Sequence, residues 1–241
     1  MKNRILFVLA LVFVVSFSSC GNSGRKHRNE RGATNVSVKK RKASINLKLS
    51  SNTEVMSGTE IFRRYNSAVF MVFTSDGYNA FQGSGFFISS SGIAISNYHV
   101  FRGTSMGSEI IKLSSEEELN VEEVIAKSDE NDFIIFKVGK GHNKKFNYIP
   151  IASRAPSVGE KVYAISSPRG LENTFSSGEI SQKRDNNIIQ ISVPIDHGSS
   201  GGALINSYGE AIGITSGGRD DSGANLNFAI DIKVIRQILK E

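Results

Sequence analysis

The sequence predicts an all-β fold of the antiparallel barrel type, and three observations support this prediction. Short runs rich in Val, Ile and Phe recur along residues 68–230, and Gly- and Ser-containing segments separate them. The 241-residue chain contains 23 glycines and no tryptophan. It has no internal repeat and no heptad pattern. Many short strands joined by turns are typical of barrels and sandwiches rather than of helical proteins.

The individual elements follow from the hydrophobic runs and the turn residues between them. Strands are predicted at residues 68–73, 84–88, 93–96, 133–138, 161–166, 188–193, 203–205, 211–215 and 227–230. A short helix is expected before the first strand, with Thr59 as its N-cap, and an amphipathic helix over residues 234–239 closes the fold.

The first 20 residues have the anatomy of an export signal. A positive region with Lys2 and Arg4 precedes unbroken apolar sequence over residues 5–15, and two serines follow. This apolar run is shorter than the roughly 20 residues that a membrane-spanning helix needs. We therefore predict a signal peptide over residues 1–19.

Cys20 is the single cysteine of the chain and stands at the end of this apolar segment. Residues 17–20 resemble a bacterial lipobox, in which the cysteine becomes the acylated N-terminus, although Phe17 occupies a position where Leu is usual. The resemblance implies lipidation at Cys20 and a membrane contact through the lipid anchor. A plain secretory signal with an incidental cysteine is the alternative. One cysteine also excludes a disulfide framework within the chain.

Residues 20–57 form a polar and basic segment with few large apolar side chains, so a flexible tether is predicted. Two interpretations of this segment are open. Either its basic runs bind anionic lipid head groups, or the segment is only a solvated spacer. The net charge of +6 comes from residues 1–50, because residues 51–241 carry 18 basic and 22 acidic groups. A nucleic-acid-binding domain would carry a basic patch on its fold, so no nucleic-acid partner is expected. The folded domain is predicted over residues 58–241.

The segment with the clearest chemical pattern is Gly-Ser-Ser-Gly-Gly at residues 198–202. It matches the G-x-S-x-G nucleophile elbow of α/β-hydrolases, but that fold needs a histidine after the serine, and the last histidine is His197. A catalytic triad whose members follow one another along the chain in the order His, Asp, Ser is still compatible with the sequence. His99 directly follows a predicted strand, and Asp132 directly precedes another.

Three blocks in this order resemble the HtrA branch of the trypsin-like serine peptidases. Gly-Ser-Gly-Phe followed by Asn-Tyr-His-Val lies within residues 83–100, and Asp-Phe-Ile-Ile-Phe-Lys occupies residues 132–137. Gly-Ser-Ser-Gly-Gly-Ala-Leu-Ile-Asn occupies residues 198–206, where Ser199 replaces the usual Asn and Ala203 the usual Pro. The match is specific because all three blocks occur in the order found in the family.

The resemblance extends from about residue 61 to residue 232. It implies a more specific fold than the composition alone predicts. The implied fold is two packed six-stranded antiparallel β-barrels with short terminal helices. The barrels are expected over about residues 65–145 and 150–232. Many HtrA proteins carry a C-terminal PDZ domain, whereas this sequence stops at Glu241 right after the closing helix, so no PDZ domain is expected.

The resemblance also implies a serine endopeptidase of the cell envelope with polypeptide substrates. His99, Asp132 and Ser200 would form its catalytic triad, with His99 as the base and Asp132 orienting the imidazole. The backbone around the nucleophile, at Gly198, Ser199 and Ser200, would form the oxyanion hole. The main alternative is a catalytically weak or inactive protein of this fold that binds peptides.

Substrate-binding residues are implied in the same way. Residues 213–218 resemble the edge strand beside the specificity pocket, where Ser216 would contact the triad aspartate, and Gly217 and Gly218 would pair with the substrate backbone. Pro194, six residues before the nucleophile, would lie near the pocket floor. No acidic residue stands there, so cleavage after a small or medium apolar P1 residue is expected.

Several residues compete with these assignments. Asp129 and Glu130 are alternative carboxylates in the turn that contains Asp132. Asp132 is the preferred candidate because it directly precedes the predicted strand. His197 lies three residues before the nucleophile and is interpreted as a loop residue. The remaining histidines lack Cys or acidic neighbours at ligand spacing, so no metal or other cofactor is expected.

Overall fold

The structure is a computed structural model that describes residues 47, 49–105, 107–139, 145–167, 173–219 and 226–239. All of them lie in one compact unit. The predicted export signal, Cys20 and most of the basic tether fall outside the described residues. Among the described residues, no helix is long and apolar enough to cross a membrane.

The first half of the domain forms one curled antiparallel sheet of seven strands. The strands are β1 Val69–Ser75, β2 Ala80–Phe87, β3 Ile93–Ser96, β4 Ile110–Lys112, β5 Glu118–Leu119, β6 Val121–Ser128 and β7 Phe133–Val138. Their order across the sheet is β5-β4-β1-β2-β3-β7-β6. The sheet is thus a half-barrel whose centre is formed by β1, β2 and β3.

The second half of the domain forms a closed antiparallel barrel of six strands. The strands are β8 Lys161–Ser166, β9 Thr174–Lys183, β10 Ile188–Ile191, β11 Ala203–Asn206, β12 Ala211–Arg219 and β13 Leu226–Asp231. Their order around the barrel is β10-β13-β12-β11-β8-β9. Closure of the barrel leaves no unpaired strand of the kind that an open sheet has at its edge.

The predicted all-β double-barrel architecture is confirmed, with one difference in the first half. Six strands were expected there, but the sheet has seven because a break at Asn120 divides the segment after β4 into β5, which pairs with β4, and β6, which pairs with β7. A tight turn joins β4 to β5. The Leu113 amide donates to Glu117 O across this turn, and Glu116 adopts a φ of 66°. The chain therefore reverses after only three residues of β4.

Among the described residues, the domain is completed by three α-helices, α1 Gly58–Tyr65, α2 Tyr98–Phe101 and α3 Lys233–Ile238, and by one turn of 3-10 helix at Asn66–Ala68. Helices α1 and α3 confirm the predicted terminal helices, but the expected cap at Thr59 is wrong. Ser57 is the N-cap, because its side chain accepts from the amide of Glu60 while the Glu60 carboxylate accepts from the Ser57 amide. These hydrogen bonds from Ser57 lower the pKa of Glu60.

The folded unit begins earlier than the predicted boundary at residue 58. The Ser50 amide donates to Ile151 O, and the Met56 amide donates to Ser207 O, both at 2.8 Å. Met56 is buried, and the amide of Asn52 donates to the carboxylate of Glu210 at 2.8 Å. The last residues assigned to the tether therefore run along the second barrel, because their backbone finds hydrogen-bond partners there.

Apolar side chains fill three clusters, one in each half and one shared between them. The cluster of the first half is rich in phenylalanine, where Phe70 contacts Phe87 at 4.7 Å and Phe136 at 6.4 Å between ring centroids. The shared cluster joins strands of both halves, for example through Ile95 and Ile214. This continuous packing holds the two halves in a fixed relation.

Replacing Phe70 by alanine tests the packing of the first half. Phe70 is 1% exposed, so Phe70→Ala removes a buried ring from between two others, and we expect a loss of about 3–5 kcal/mol in the free energy of unfolding. Urea denaturation measures it. Tyr78→Ala is the matched control, because Tyr78 is 97% exposed and its loss should change stability by less than about 0.5 kcal/mol. Equal effects of the two substitutions would contradict this packing.

Candidate active site

His99 lies in the single turn of helix that follows strand β3. Strand β3 ends at Ser96, and the buried Asn97 precedes helix α2, which contains His99. The short helix packs its apolar residues Val100 and Phe101 into the core of the first half. This burial leaves the imidazole of His99 at the surface, where its side chain is 39% exposed.

Asp132 lies in the turn between β6 and β7 and has an unusual backbone conformation. Its φ is +46°, in the left-handed region that aspartate tolerates better than most residues. Two contacts hold this conformation. The Asp132 amide donates to Asp129 O at 3.3 Å, and Asn97 Nδ2 donates to Asp132 O at 2.9 Å. The segment that carries His99 therefore also fixes the turn that carries Asp132.

The carboxylate of Asp132 binds His99 at two points. The His99 amide donates to Asp132 Oδ1 at 2.9 Å, and His99 Nδ1 lies 2.8 Å from Asp132 Oδ2. A carboxylate only accepts hydrogen bonds, so this contact places the proton on Nδ1. Nε2 is then the ring nitrogen that can accept a proton from a nucleophile.

Ser216 donates a third hydrogen bond to the same carboxylate, from Oγ to Asp132 Oδ2 at 3.2 Å. This is the contact expected from the sequence. Strands β12 and β13 pair Thr215 with Ala229 and Gly217 with Phe228, so Ser216 has no partner and forms a β-bulge. A bulge redirects a side chain out of the regular alternation, and here it directs Ser216 across to the first half of the domain.

The rival carboxylate Asp129 has another partner. It forms an ion pair with Arg102, and both side chains are largely exposed, at 67% and 59%. Glu130 is exposed as well. In the described part of the chain neither residue forms a hydrogen bond or ion pair with His99, whereas Asp132 does, so the geometry favours Asp132 as the partner of the imidazole.

The segment around Ser200 begins with a tight turn. The Ser199 amide donates to Asp196 O at 2.9 Å, and Gly198 has a φ of +89°, which together define a type II turn over residues 196–199. Gly198 is the third residue of this turn, where a positive φ is required. His197 is an exposed loop residue in it, as predicted, and its amide donates to Asp196 Oδ1.

Gly201 allows this segment to approach the first half closely. Its φ is +91°, and a Cβ atom there would lie 2.0 Å from Ser84 O and 2.3 Å from Ser96 Oγ. The Gly201 amide donates to Thr215 O at 2.7 Å. Glycine is therefore required both by the backbone conformation and by the neighbouring strands.

Two amides of this segment point to no acceptor in the described part of the chain: those of Gly198 and Ser200. The amide of Ser199, the third expected member of the oxyanion hole, is engaged by Asp196, and the residue is buried. The arrangement thus offers two free donors, which flank Ser199.

A cleft of about 550 Å³ brings the predicted site residues together. His99, Ser200, Ser216, Gly217, Gly218 and Pro194 all line it. A Cβ atom on Gly217 would lie 3.9 Å from Ser200 Oγ, so this strand faces the serine. No hydrogen bond joins Ser200 to His99, both of which are described, and such contacts are often long before substrate binds.

The polar residues that support the site were not identified from the sequence. Asn97, Ser84 and Thr215 are fully buried, and the side chain of each donates to the backbone carbonyl of a predicted site residue. A polar residue that is buried beside a motif is expected to form a hydrogen bond there, because a buried polar group without a partner is costly. Its partner cannot be read from the sequence when the two are far apart in the chain.

Fold and site together define a chymotrypsin-type double barrel with a His-Asp-Ser constellation at the junction of its halves. A family model described as "Trypsin-like peptidase domain" matches residues 83–214. This match covers more than half of the chain, and the chain belongs to the trypsin-like peptidase domain family.

Relatives of the DegP and HtrA type are similar in sequence. A protein named "Probable periplasmic serine endoprotease DegP-like" from Ectopseudomonas mendocina is 35% identical over 173 residues, covering 66% of this chain and 34% of its own length. "Serine protease HTRA4" of Homo sapiens is 30% identical over 176 residues, covering 67% and 35% respectively. The chain spans about a third of the length of these relatives.

A solved structure supports the same relationship. The crystal structure of the serine endoprotease from Yersinia pestis superposes with a TM-score of 0.67 at 27% sequence identity. The superposition covers 77% of this chain and 66% of that one. The resemblance to HtrA-type peptidase domains drawn from the three sequence blocks is thereby confirmed.

Asp132→Asn tests the choice of carboxylate. An amide at this position favours the wrong tautomer of His99, so we expect kcat on a peptide substrate to fall by about 10³–10⁴-fold. Asp129→Asn is the control and should stay within about twofold, because its exposed ion pair contributes little. Steady-state kinetics on a peptide substrate measure kcat for the two variants and for wild type. Equal activities would show that Asp132 is not the orienting group.

Proposed function

We propose that this protein is a serine endopeptidase that works through an acyl-enzyme. The observation that carries the proposal is the shared cleft. It contains an imidazole held by Asp132, whose carboxylate also accepts from Ser216, together with a serine at Ser200 and the unpaired amides of Gly198 and Ser200. These are the base, nucleophile and oxyanion donors that acyl transfer requires.

The first half-reaction forms the covalent bond between enzyme and substrate. Nε2 of His99 takes the hydroxyl proton of Ser200, and Oγ attacks the carbonyl carbon of the scissile peptide bond. The carbonyl electrons move onto the oxygen, where the amides of Gly198 and Ser200 donate to the negative charge. The protonated imidazole is stabilised by the carboxylate of Asp132, which lies 2.8 Å from Nδ1.

Collapse of this intermediate breaks the peptide bond and releases the amine, which receives the proton from His99. Water then enters, gives a proton to Nε2 and attacks the acyl carbon. A second collapse returns the proton to Ser200 Oγ and releases the carboxylic acid product. The same three side chains serve both halves of the reaction.

Strand β12 offers a backbone edge for the substrate. Strand β11 pairs with β12 only as far as Ile214, whereas β13 continues to pair with Gly217 and Gly218. Thr215 still bonds to Gly201 and Gly202 through its backbone, so this edge of β12 is open beside Ser200 in the residues after Thr215. An extended peptide can add to this edge as a further strand, which positions its carbonyl at the nucleophile.

The pocket next to this edge favours uncharged P1 side chains. Pro194, Ile195, Ser192 and Asn227 are neutral residues in the lining of the cleft. Asp196 is the acidic lining residue among those described, and its Oδ1 accepts a hydrogen bond from the amide of the next residue in the turn. These features support cleavage after small or medium apolar residues.

Ser200→Ala and His99→Ala test the proposed activity. A peptide library with varied P1 residues is incubated with the full chain, and cleavage sites and rates are measured by mass spectrometry. We expect wild type to cleave after small or medium apolar residues and each variant to lose several orders of magnitude in kcat. Because the triad acts as a unit, the double variant should be little worse than either single one.

Two outcomes would contradict this proposal. Wild-type rates in Ser200→Ala would exclude Ser200 as the nucleophile. Binding of library peptides by wild type without any cleavage would favour a peptide-binding protein of this fold instead.

We further propose that the protein is exported to the cell envelope and anchored there by a lipid on Cys20. The support is the signal-like sequence of residues 1–19, the position of the single cysteine, and the periplasmic names of the bacterial relatives. One acyl chain holds a protein only marginally, so we propose that Cys20 carries more than one chain, as lipoproteins of this type usually do. The basic segment that follows Cys20 would add an electrostatic contact that salt weakens.

Cys20→Ser tests the anchor. We expect wild type to stay with the membrane fraction through a high-salt wash, because salt screens the basic residues but not the lipid. The Cys20→Ser variant should appear in the soluble fraction. A soluble wild-type protein with its N-terminus beyond Cys20 would leave a plain secretory signal as the explanation.

A further inference from the structure

Ser84 joins the first half of the domain to the loop that carries the nucleophile. It lies in strand β2, is fully buried, and is separated from Gly198 by 114 residues. Its Oγ lies 2.7 Å from Gly198 O, and its backbone amide donates to Ser200 O at 2.8 Å. One residue thus contacts the backbone of both residues whose amides are free.

The direction of the side-chain hydrogen bond is fixed by its two partners. The amide of Ser167 donates to Ser84 Oγ at 2.9 Å, and an amide cannot accept. Gly198 O is a carbonyl and cannot donate. The hydroxyl proton of Ser84 must therefore point to Gly198 O, so the hydroxyl is fully used as donor and acceptor.

These contacts hold the peptide between Gly198 and Ser199 at both ends. Its carbonyl accepts from Ser84 Oγ, and its amide donates to Asp196 O at 2.9 Å. The plane of this peptide cannot rotate without breaking both hydrogen bonds. It adjoins the peptide that carries the free amide of Gly198, and so restricts the direction in which that amide points.

The peptides on either side of Ser200 are held in the same manner. The carbonyl of Ser199 accepts from Thr215 Oγ1 at 2.6 Å, so the Ser200 amide of that peptide points the opposite way. The carbonyl of Ser200 accepts from the Ser84 amide, and the Gly201 amide donates to Thr215 O. Ser84 and Thr215 thus hold the loop from opposite sides.

We infer that the hydroxyl of Ser84 is a positioning residue of the oxyanion hole, an inference that rests on the proposed peptidase function. Ser84 does not touch the reacting atoms. It acts through the Gly198 carbonyl, and keeps the Gly198 amide aimed at the point where the Ser200 amide also points. Strand β2 of one half thereby sets the geometry of a site built on the other.

Ser84→Ala should impair the chemical step more than substrate binding. Loss of an entire oxyanion donor costs about 10²–10³ in kcat. A loosened donor is still present, so we expect kcat to fall by roughly 10- to 100-fold, with KM within about twofold. The inhibition constant of a peptidyl trifluoromethyl ketone, which forms a tetrahedral oxyanion on the serine, should rise with the fall in kcat.

Ground-state binding is measured separately in a background that cannot cleave. The dissociation constant of an uncleaved peptide is compared between Ser200→Ala and the double variant Ser84→Ala with Ser200→Ala, and should agree within about twofold. Ser167→Ala is the matched control. Its Oγ is buried without a hydrogen-bond partner in the described residues, so the variant removes a hydroxyl nearby but keeps the contacts of Ser84.

The outcomes separate this inference from the proposed function. Wild-type kcat in Ser84→Ala, or an equal loss in Ser167→Ala, would overturn the role of Ser84 and leave the peptidase proposal intact. A wild-type chain that cleaves no peptide would overturn both. If Ser84→Ala does not fold, Ser84→Cys is used instead, because a thiol is a weaker hydrogen-bond donor than a hydroxyl. A lowered kcat with unchanged peptide affinity in this variant would support the role of Ser84. A wild-type kcat would refute it.

Discussion

The paired hydrogen bonds between His99 and Asp132 set the constraint that the surrounding structure meets. They require the end of β3 and the β6–β7 turn to lie side by side, and Asp132 makes them from a left-handed backbone conformation. Asn97 supports that backbone from the segment that precedes His99. The carboxylate also accepts from Ser216 of the second barrel, so neither half of the domain contains a complete site.

The junction between the halves therefore has to be both tightly packed and polar. Its apolar part is the shared core, which holds the two halves at a fixed distance. Its polar part includes fully buried side chains that donate to backbone carbonyls, such as Ser84 to Gly198 and Thr215 to Ser199. Gly201 is needed between them, because a Cβ atom there would collide with Ser84 O. Polar groups buried in this way make the loop around Ser200 rigid before substrate arrives.

Much of this arrangement could be predicted from the sequence, and the parts that could not have physical reasons. Strands such as β7 and β8 were found because both are nearly continuous apolar runs. Strands β6 and β9 were missed because their exposed faces carry charged, Ser and Gly residues that mask the alternation. The residues proposed as the triad were identified through local motifs, each of which lies within a few residues of chain. The contact from Ser84 to Gly198 spans 114 residues and has no local signature, since a serine between two glycines is equally compatible with a turn.

The most direct test of this account is chemical labelling with a fluorophosphonate, followed by intact-mass measurement and peptide mapping. Only a serine activated by a neighbouring base reacts at a useful rate, because a free hydroxyl is a weak nucleophile. We predict one adduct per chain, located at Ser200, and no adduct once the domain is unfolded in denaturant. An adduct at Ser199 or at another serine, or no adduct on the folded protein, would contradict the assignment of the site.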